Sequence, residues 1–375
     1  MAGLITRRTF SLGALSMGLG ALAPDVRAQT PDWSRVLEAA RKEGQVHVWG
    51  AAGDVLRKFW KDSFDKDVPG IAVRLFQANT SSERDSRVLR DLQAGVLKAD
   101  VLIGGSGGMV GRLKPSKALQ PLKPLLRADV LEPKGWIDGG PLWVDNEREY
   151  ILLGDLPAST PGVAHTSVAG EITSWDDLLN PKFDGKIISL DPRQAGLSFA
   201  FALFMLQTPE LGPSYLQRLY RGGRIVFTVD QRQAAEWVDS GRMLVGTGIR
   251  ESEIAGVLSV SNSVKVLPAL RAGATPMTLA VGSDTAICIP NLDPLPNPNA
   301  ARIYVNWLYS KLGQQALVDV NGQFSLRTDV DQNHLPERLK QKPGVVYKNV
   351  NNEASAGADI AQQMRDIVTR AIADK

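Results

Sequence analysis

Short apolar runs alternate along this chain with segments whose apolar positions recur every three to four residues. That alternation predicts strands and helices in turn, an α/β protein. Residues 34–42 read as a helix with Val36, Leu37 and Ala40 on one face, stopped at Gly44. A strand over 45–49 then runs into Gly50-Ala51-Ala52-Gly53-Asp54 and a helix over 55–64. A second strand, 71–76, runs into Gln77-Ala78-Asn79-Thr80-Ser81-Ser82 and a helix over 83–95. A third, 99–103, runs into Gly104-Gly105-Ser106-Gly107-Gly108 and another helix. Three strand ends thus lead through small residues into helices. In an open α/β sheet such loops converge where ligands sit, beyond the carboxyl ends of the strands. Their backbone N–H groups approach a ligand closely, and the helix starts favour negative charge.

Farther on the pattern loosens and then repeats. Residues 114–140 are rich in Pro and Lys and read as surface connection, after which 142–144 and 149–153 read as strands entering a second lobe. Ser174 caps a helix that Asn180-Pro181 ends. A strand over 185–190 leads into Asp191-Pro192-Arg193-Gln194-Ala195-Gly196-Leu197-Ser198 and a helix over 199–207, a fourth loop-to-helix start that now contains an arginine. Strands follow at 224–229, 243–247 and 264–267, with helices at 231–240 and 298–312. Residues 331–375 are polar, with a last helix over 359–373.

The amino terminus sets a location. Arg7-Arg8 precede an apolar stretch over 10–23, and Val26-Arg27-Ala28 offers small residues at a cut before Gln29. A basic start, an apolar stretch of about 7–15 residues and such an end describe an export signal, whereas a membrane span needs about 20 apolar residues. The paired arginines point to the twin-arginine route, so residues 1–28 are expected to be removed and the remainder to reside in the bacterial periplasm. What remains exceeds the roughly 250–300 residues at which one core usually splits into lobes.

Charge and chemistry exclude more than they identify. Lys and Arg number 43 against 40 Asp and Glu, and the leader removes three arginines and one aspartate. Near-neutrality argues against a nucleic-acid footprint. Cys288, alone in the chain and set in an apolar run, permits neither an intramolecular disulfide nor a thiolate metal cluster. His47, His165 and His334 lie far apart without metal-ligand spacing, and neither a nucleophile elbow nor a phosphate-binding Gly-Lys-Ser/Thr loop occurs. Gly105-Ser106-Gly107-Gly108-Met109-Val110 begins like a dinucleotide fingerprint but has valine where the third glycine belongs. No catalytic constellation emerges and no cofactor is expected.

Several stretches resemble one family, the extracellular solute-binding proteins of ABC importers, in the group that includes ferric-ion binders. Glu43-Gly44-Gln45-Val46-His47-Val48-Trp49-Gly50-Ala51 resembles the opening strand, and Ala99-Asp100-Val101-Leu102 the family's "aDV" strand. The segment from Ser174 to Ile187 is similar to the recurrent "sWdDLldPkykGkI". Pro296 to Arg302, then Trp307 to Gln315, is similar to the "hPnaAr…wllS.eGQ" helix. The order and spacing of these stretches span about residues 33–330.

The resemblance implies a type II periplasmic binding protein fold: two α/β lobes, each a central mixed sheet flanked by helices, closing on one ligand in the interlobe cleft. Residues 29–135 would form the first part of lobe one and 136–270 lobe two. Residues 271–330 would return to lobe one and the hinge, and 331–375 would add a polar, helical C-terminal segment. Carried over position by position, the ligand-binding residues are Ala52, Thr80, Ser81 and Ser106 from lobe one, with Arg193, Gly196, Ser198 and Arg250 from lobe two. The two arginines would clamp a carboxylate or phosphate. The partners implied are a small-molecule solute and an inner-membrane permease, served by a monomer. One departure bears on the solute: ferric-ion binders of this group use adjacent tyrosines late in lobe two, and no two tyrosines here are adjacent. Hard ferric iron wants anionic oxygens. The reading therefore favours an anionic organic solute, with a ferric-ion carrier and an exported enzyme on the same scaffold as alternatives.

Overall fold

A computed structural model describes residues 32–51, 53–137, 139–194, 196–281, 285–355 and 357–374. The expected leader over 1–28 and the candidate Ala52 lie outside them. Among the described residues no helix is long and apolar enough to cross a membrane.

The chain begins with the helix Trp33–Glu43, started by the Asp32 carboxylate accepting from the Ser34 N–H (3.1 Å) and ended by Gly44 at φ 73°. Strands β1 (Gln45–Ala51), β2 (Ala72–Ala78) and β3 (Val101–Gly104) then pair in parallel in the order β2-β1-β3. Strands β4 (Leu119–Gln120), β5 (Leu142–Trp143) and β6 (Leu152–Leu153) join the same sheet through a later strand. The segments at 142–144 and 149–153 therefore extend the first sheet, and the crossing to lobe two begins beyond Leu153. The reason is local: each forms only a two-residue strand, Leu142 and Trp143 opposite Leu153 and Leu152. An apolar pair that short carries no sign of which sheet it joins.

Lobe two is built on β7 (Val163–His165), β8 (Ile187–Leu190), β9 (Ile225–Thr228), β10 (Val245–Thr247) and β11 (Val264–Val266), ordered β11-β7-β10-β8-β9. Strands β8, β9 and β10 are parallel to one another. Strands β12 (Leu270–Ala272) and β13 (Thr275–Leu279) form a small hairpin. The chain then returns to lobe one as β14 (Ala286–Pro290), antiparallel to β3, β4 and β6. Finally β15 (Val346–Lys348) pairs in parallel with β13, and the helix Ala358–Ala373 closes the molecule.

Two large apolar cores follow from this threading, with two smaller clusters beside them. One surrounds the first sheet and gathers Trp60, Phe64, Tyr304 and Trp307. The other packs Trp175, Phe201, Phe204 and Tyr215 against lobe two, and Met364, Ile367 and Val368 of the last helix belong to it. Between them the crossing segments are held side by side. The Gly154 N–H donates to Thr285 Oγ1 (2.8 Å), Thr285 donates from its backbone N–H to Asp155 Oδ1 (3.1 Å), and Ala158 bridges Ala280. The Tyr309 hydroxyl lies 2.6 Å from the Leu152 carbonyl and 2.7 Å from that of Thr285.

Candidate functional site

The carboxyl ends of β1, β2 and β3 on one lobe, and of β8 and β10 on the other, carry the loops that sequence singles out. In lobe one, Thr80 stands in extended conformation ahead of the helix Ser81–Gln93, and its Oγ1 accepts from the Glu83 N–H (3.1 Å). Glu83 in return accepts from the Asn79 N–H (2.9 Å). Ser81 is half-buried, and its Oγ lies 3.4 Å from where a side chain on Gly105 would begin. Ser106 is fully buried at the first turn after β3 and donates its hydroxyl to the Asn351 carbonyl (2.8 Å). Thr80, Ser81 and Ser106 are thus drawn to one end of the first sheet.

Beneath these loops lies a buried ion pair that sequence reading misses. Arg84 and Asp85 are both fully buried, with Asp85 Oδ1 accepting from Arg84 Nε (2.9 Å) and Nη2 (2.7 Å), while Nη1 donates to the Ile103 carbonyl. Asp85 Oδ2 is buried without a hydrogen-bond partner among the described residues. Burial pushes the Asp85 carboxyl above its ordinary range, against the opposing pull of Arg84. The glycines of the loop make room for the pair. A side chain at Gly104 would begin 2.9 Å from Arg84 Nη1, and one at Gly108 would begin 1.9 Å from Asp85 Oδ2. Two adjacent charges on a helix read as solvated surface, so only the unusual glycine density at 104–108 hints at what they cover.

In lobe two the candidates divide. Arg193 is gripped by its own loop: Asp191 Oδ1 accepts from its backbone N–H and Nε (both 2.9 Å), and Oδ2 accepts from Nη2 (2.6 Å). Hydrogen bonding to Arg193 holds the Asp191 carboxyl below its ordinary value and raises the guanidinium in turn. Gly196 is exposed, at φ 153° and ψ −167°, as the helix Leu197–Leu206 begins. Ser198 is buried, its Oγ 3.2 Å from that of Ser189. Gly248 packs directly on it, at φ 67°, so that a Cβ there would stand 2.0 Å from Ser198 Oγ. Two residues on, Arg250 donates its backbone N–H to Gln231 Oε1 (2.7 Å). Its guanidinium is exposed and has no partner among the described residues.

The helices Leu197–Leu206, Gln231–Asp239 and Glu251–Leu258 therefore start from loops joined at Gln231, Gly248 and Ser198, beside the unpaired charge of Arg250. Such helix starts and a free guanidinium can hold an anion by N–H donation and charge. Three of the six tyrosines, Tyr215, Tyr304 and Tyr309, are committed elsewhere. Tyr215 donates to the Trp175 carbonyl (2.6 Å) and Tyr304 to the Trp60 carbonyl (2.8 Å), and burial pushes these phenols, with Tyr309, well above their ordinary value. His47 faces the buried Asp100, which accepts its backbone N–H (2.8 Å) and those of Asn297. Among the described residues no group of three or more His, Cys, Asp and Glu is placed to hold a metal ion.

No protein-family model matches the chain, and no curated protein matches it in sequence. Solved structures do share its fold. Apo ferric ion-binding protein A of Pasteurella haemolytica aligns with 88% of this chain and 99% of its own, at TM-score 0.66 and 15% identity. The Trichodesmium protein FutA, in complex with iron and citrate, aligns over the same share of each chain at 0.64 and 16%. The periplasmic binding protein AfuA of Actinobacillus pleuropneumoniae, with exogenous fructose-6-phosphate bound, also covers 88% and 99%, at 0.56 and 16%.

Proposed function

We propose that this chain, which has the two-lobed fold of type II periplasmic binding proteins, is the solute-capturing component of an ABC importer. In this reading it works in the periplasm, delivered by the leader over 1–28, and binds without turnover a small anionic organic solute, a carboxylate or phosphate ester. Lobe closure then presents that solute to an inner-membrane permease. What supports the reading is the joining of three helix starts in lobe two at Gln231, Gly248 and Ser198, next to Arg250, whose guanidinium has no partner among the described residues. Thr80, Ser81 and Ser106 would orient the solute from one side. Gly196, Ser198 and Arg250 would hold it from the other, with Arg193 shaping its loop through Asp191.

A ferric-ion carrier is the second reading, because the Pasteurella haemolytica protein is a ferric ion-binding protein and the Trichodesmium one holds iron and citrate. Against it stand the phenols of Tyr215 and Tyr304, buried and donating to backbone carbonyls, where a ferric ligand would have to be a phenolate. Thermal melting with citrate, fructose 6-phosphate and ferric citrate separates the two. An organic anion at about 100 times its Kd adds about 2.7 kcal/mol to the folded state, and Arg250→Ala should abolish that shift. A visible absorbance band with ferric citrate would favour iron. Absence of any shift, together with no co-purified mass in native mass spectrometry, would sink the solute-binding reading.

A further inference from the structure

After β15, which pairs with β13, the chain reaches back to lobe one at Ser106, one of the candidate ligand residues. Val350 is buried in lobe two, and Gln207 Nε2 donates to the Ser355 carbonyl (2.8 Å). Between these two lobe-two anchors, residues 351–353 reach over to lobe one. The Asn351 carbonyl accepts the Ser106 hydroxyl, the Glu353 N–H donates to the Val144 carbonyl (2.8 Å), and the Glu353 carboxylate accepts from the Asn146 N–H (2.8 Å) and Lys114 Nζ (2.6 Å). Lys114 is shared with Glu147. Downstream, Arg365 of the last helix donates to the Arg193 carbonyl (3.3 Å) and lies 5.0 Å over the Phe199 ring. Asn351 thus touches Ser106 on one ligand loop, and Arg365, on the helix that follows, touches Arg193 on the other.

The two attachments differ in kind. Toward lobe two the segment is held by strand pairing and by apolar burial of Val350, Met364, Ile367 and Val368. Beyond Tyr347, which packs on the lobe-one core, residues 351–353 meet lobe one through polar bonds, and the carboxylates on Lys114 keep contact with water: side-chain exposure is 26% for Glu353 and 54% for Glu147. Water replaces such bonds at little net cost, whereas exposing the apolar face costs far more. When the lobes part, the break must therefore fall at Asn351 and Glu353, which frees the Ser106 hydroxyl.

We propose that residues 349–355 are a built-in strap that holds the lobes together across the cleft, with Glu353 on Lys114 as its releasable catch and Ser106 as the point where opening reaches the site. A solute that accepts a hydrogen bond from the Ser106 hydroxyl competes with the strap, so capture and opening are linked through one hydroxyl. The inference goes beyond the identity of the solute, and its test needs none.

Val55 and Val229 stand at the carboxyl ends of β1 and β9, exposed at 51% and 98%, and serve as paired spin-label positions once changed to cysteine. Cys288 is fully buried, its thiol pushed up by burial, so it stays unlabelled. In the full-length double-cysteine protein, electron–electron distance measurements at low salt should give one short separation. Glu353→Gln should add a longer-distance population, as should Ser106→Ala and, without a further substitution, 1 M NaCl, which cuts the screening length to about 3 Å. If Glu353→Gln fails to fold, Ser106→Ala and the salt series decide the matter. Distance distributions that superimpose on the parent's in folded variants and in high salt would overturn the strap, whatever the solute screen finds.

Discussion

Gly248→Ala is the sharpest test of how lobe two holds its ligand loops. Three costs add at this position. Alanine at φ 67° meets the left-handed penalty of about 1–2 kcal/mol. The new Cβ would stand 2.0 Å from Ser198 Oγ, and turning that hydroxyl away gives up its 3.2 Å bond to Ser189, worth about 1 kcal/mol. Ser198 Cβ at 3.0 Å and Cα at 3.1 Å cannot rotate aside, so some overpacking, about 1 kcal/mol or more, remains. The expected loss is about 3–4 kcal/mol. Ser198→Ala alone should cost about 1 kcal/mol, and in combination it removes the hydroxyl conflict, leaving a coupling of about 1 kcal/mol in a double-mutant cycle. Two lobes need not unfold together, so native-state hydrogen exchange of the β10 amides is the appropriate readout, read beside those of β1 as an internal reference. A Gly248→Ala protein within 0.5 kcal/mol of the parent, or strictly additive substitutions, would refute the packing argument.

Two further outcomes follow from the charged pairs. Asp85→Asn leaves Arg84 buried without its counter-charge and should cost about 3–5 kcal/mol in lobe one; an equilibrium denaturation midpoint equal to the parent's would mean that the pair is hydrated. Asp191, held below its ordinary value of 3.8 by Arg193, contributes stability that is present above that value and lost as pH falls through the depressed one. Arg193→Met should bring the Asp191 carboxyl back toward its ordinary value, so that stability at neutral pH falls and this group's share of the acid destabilisation disappears, as a carbon-13 carboxyl titration beside acid denaturation would record; an unmoved Asp191 would contradict the assigned pair.

Much of the first lobe is legible in the chain because its elements are long and strongly patterned. Strands β1 and β2 and the helices around them fall within a few residues of where periodicity puts them, and the small-residue loops stand at the strand ends as expected. What stays hidden is what depends on distant partners. The two-residue strands β5 and β6 take their sheet from β14, and β15 takes its place from β13, pairings that no local pattern encodes. The strap is hidden for the same reason: Asn351 offers Ser106 a backbone carbonyl, which every residue possesses. Arg193 shows the opposite case. Its partner Asp191 is two positions away and visible in the sequence, yet a local ion pair and a free ligand clamp look alike until the geometry is known.

The threading of the two lobes also sets the order in which the protein is able to fold on the ribosome. The first sheet lacks its inserted strand β14 until residues 286–290 have emerged, and the second core lacks Met364, Ile367 and Val368 until the final helix is made. Neither half completes its interior during synthesis. The nascent chain therefore exposes unfinished apolar surface until residues 358–373 have emerged, the kind of surface that makes partly folded chains prone to aggregate.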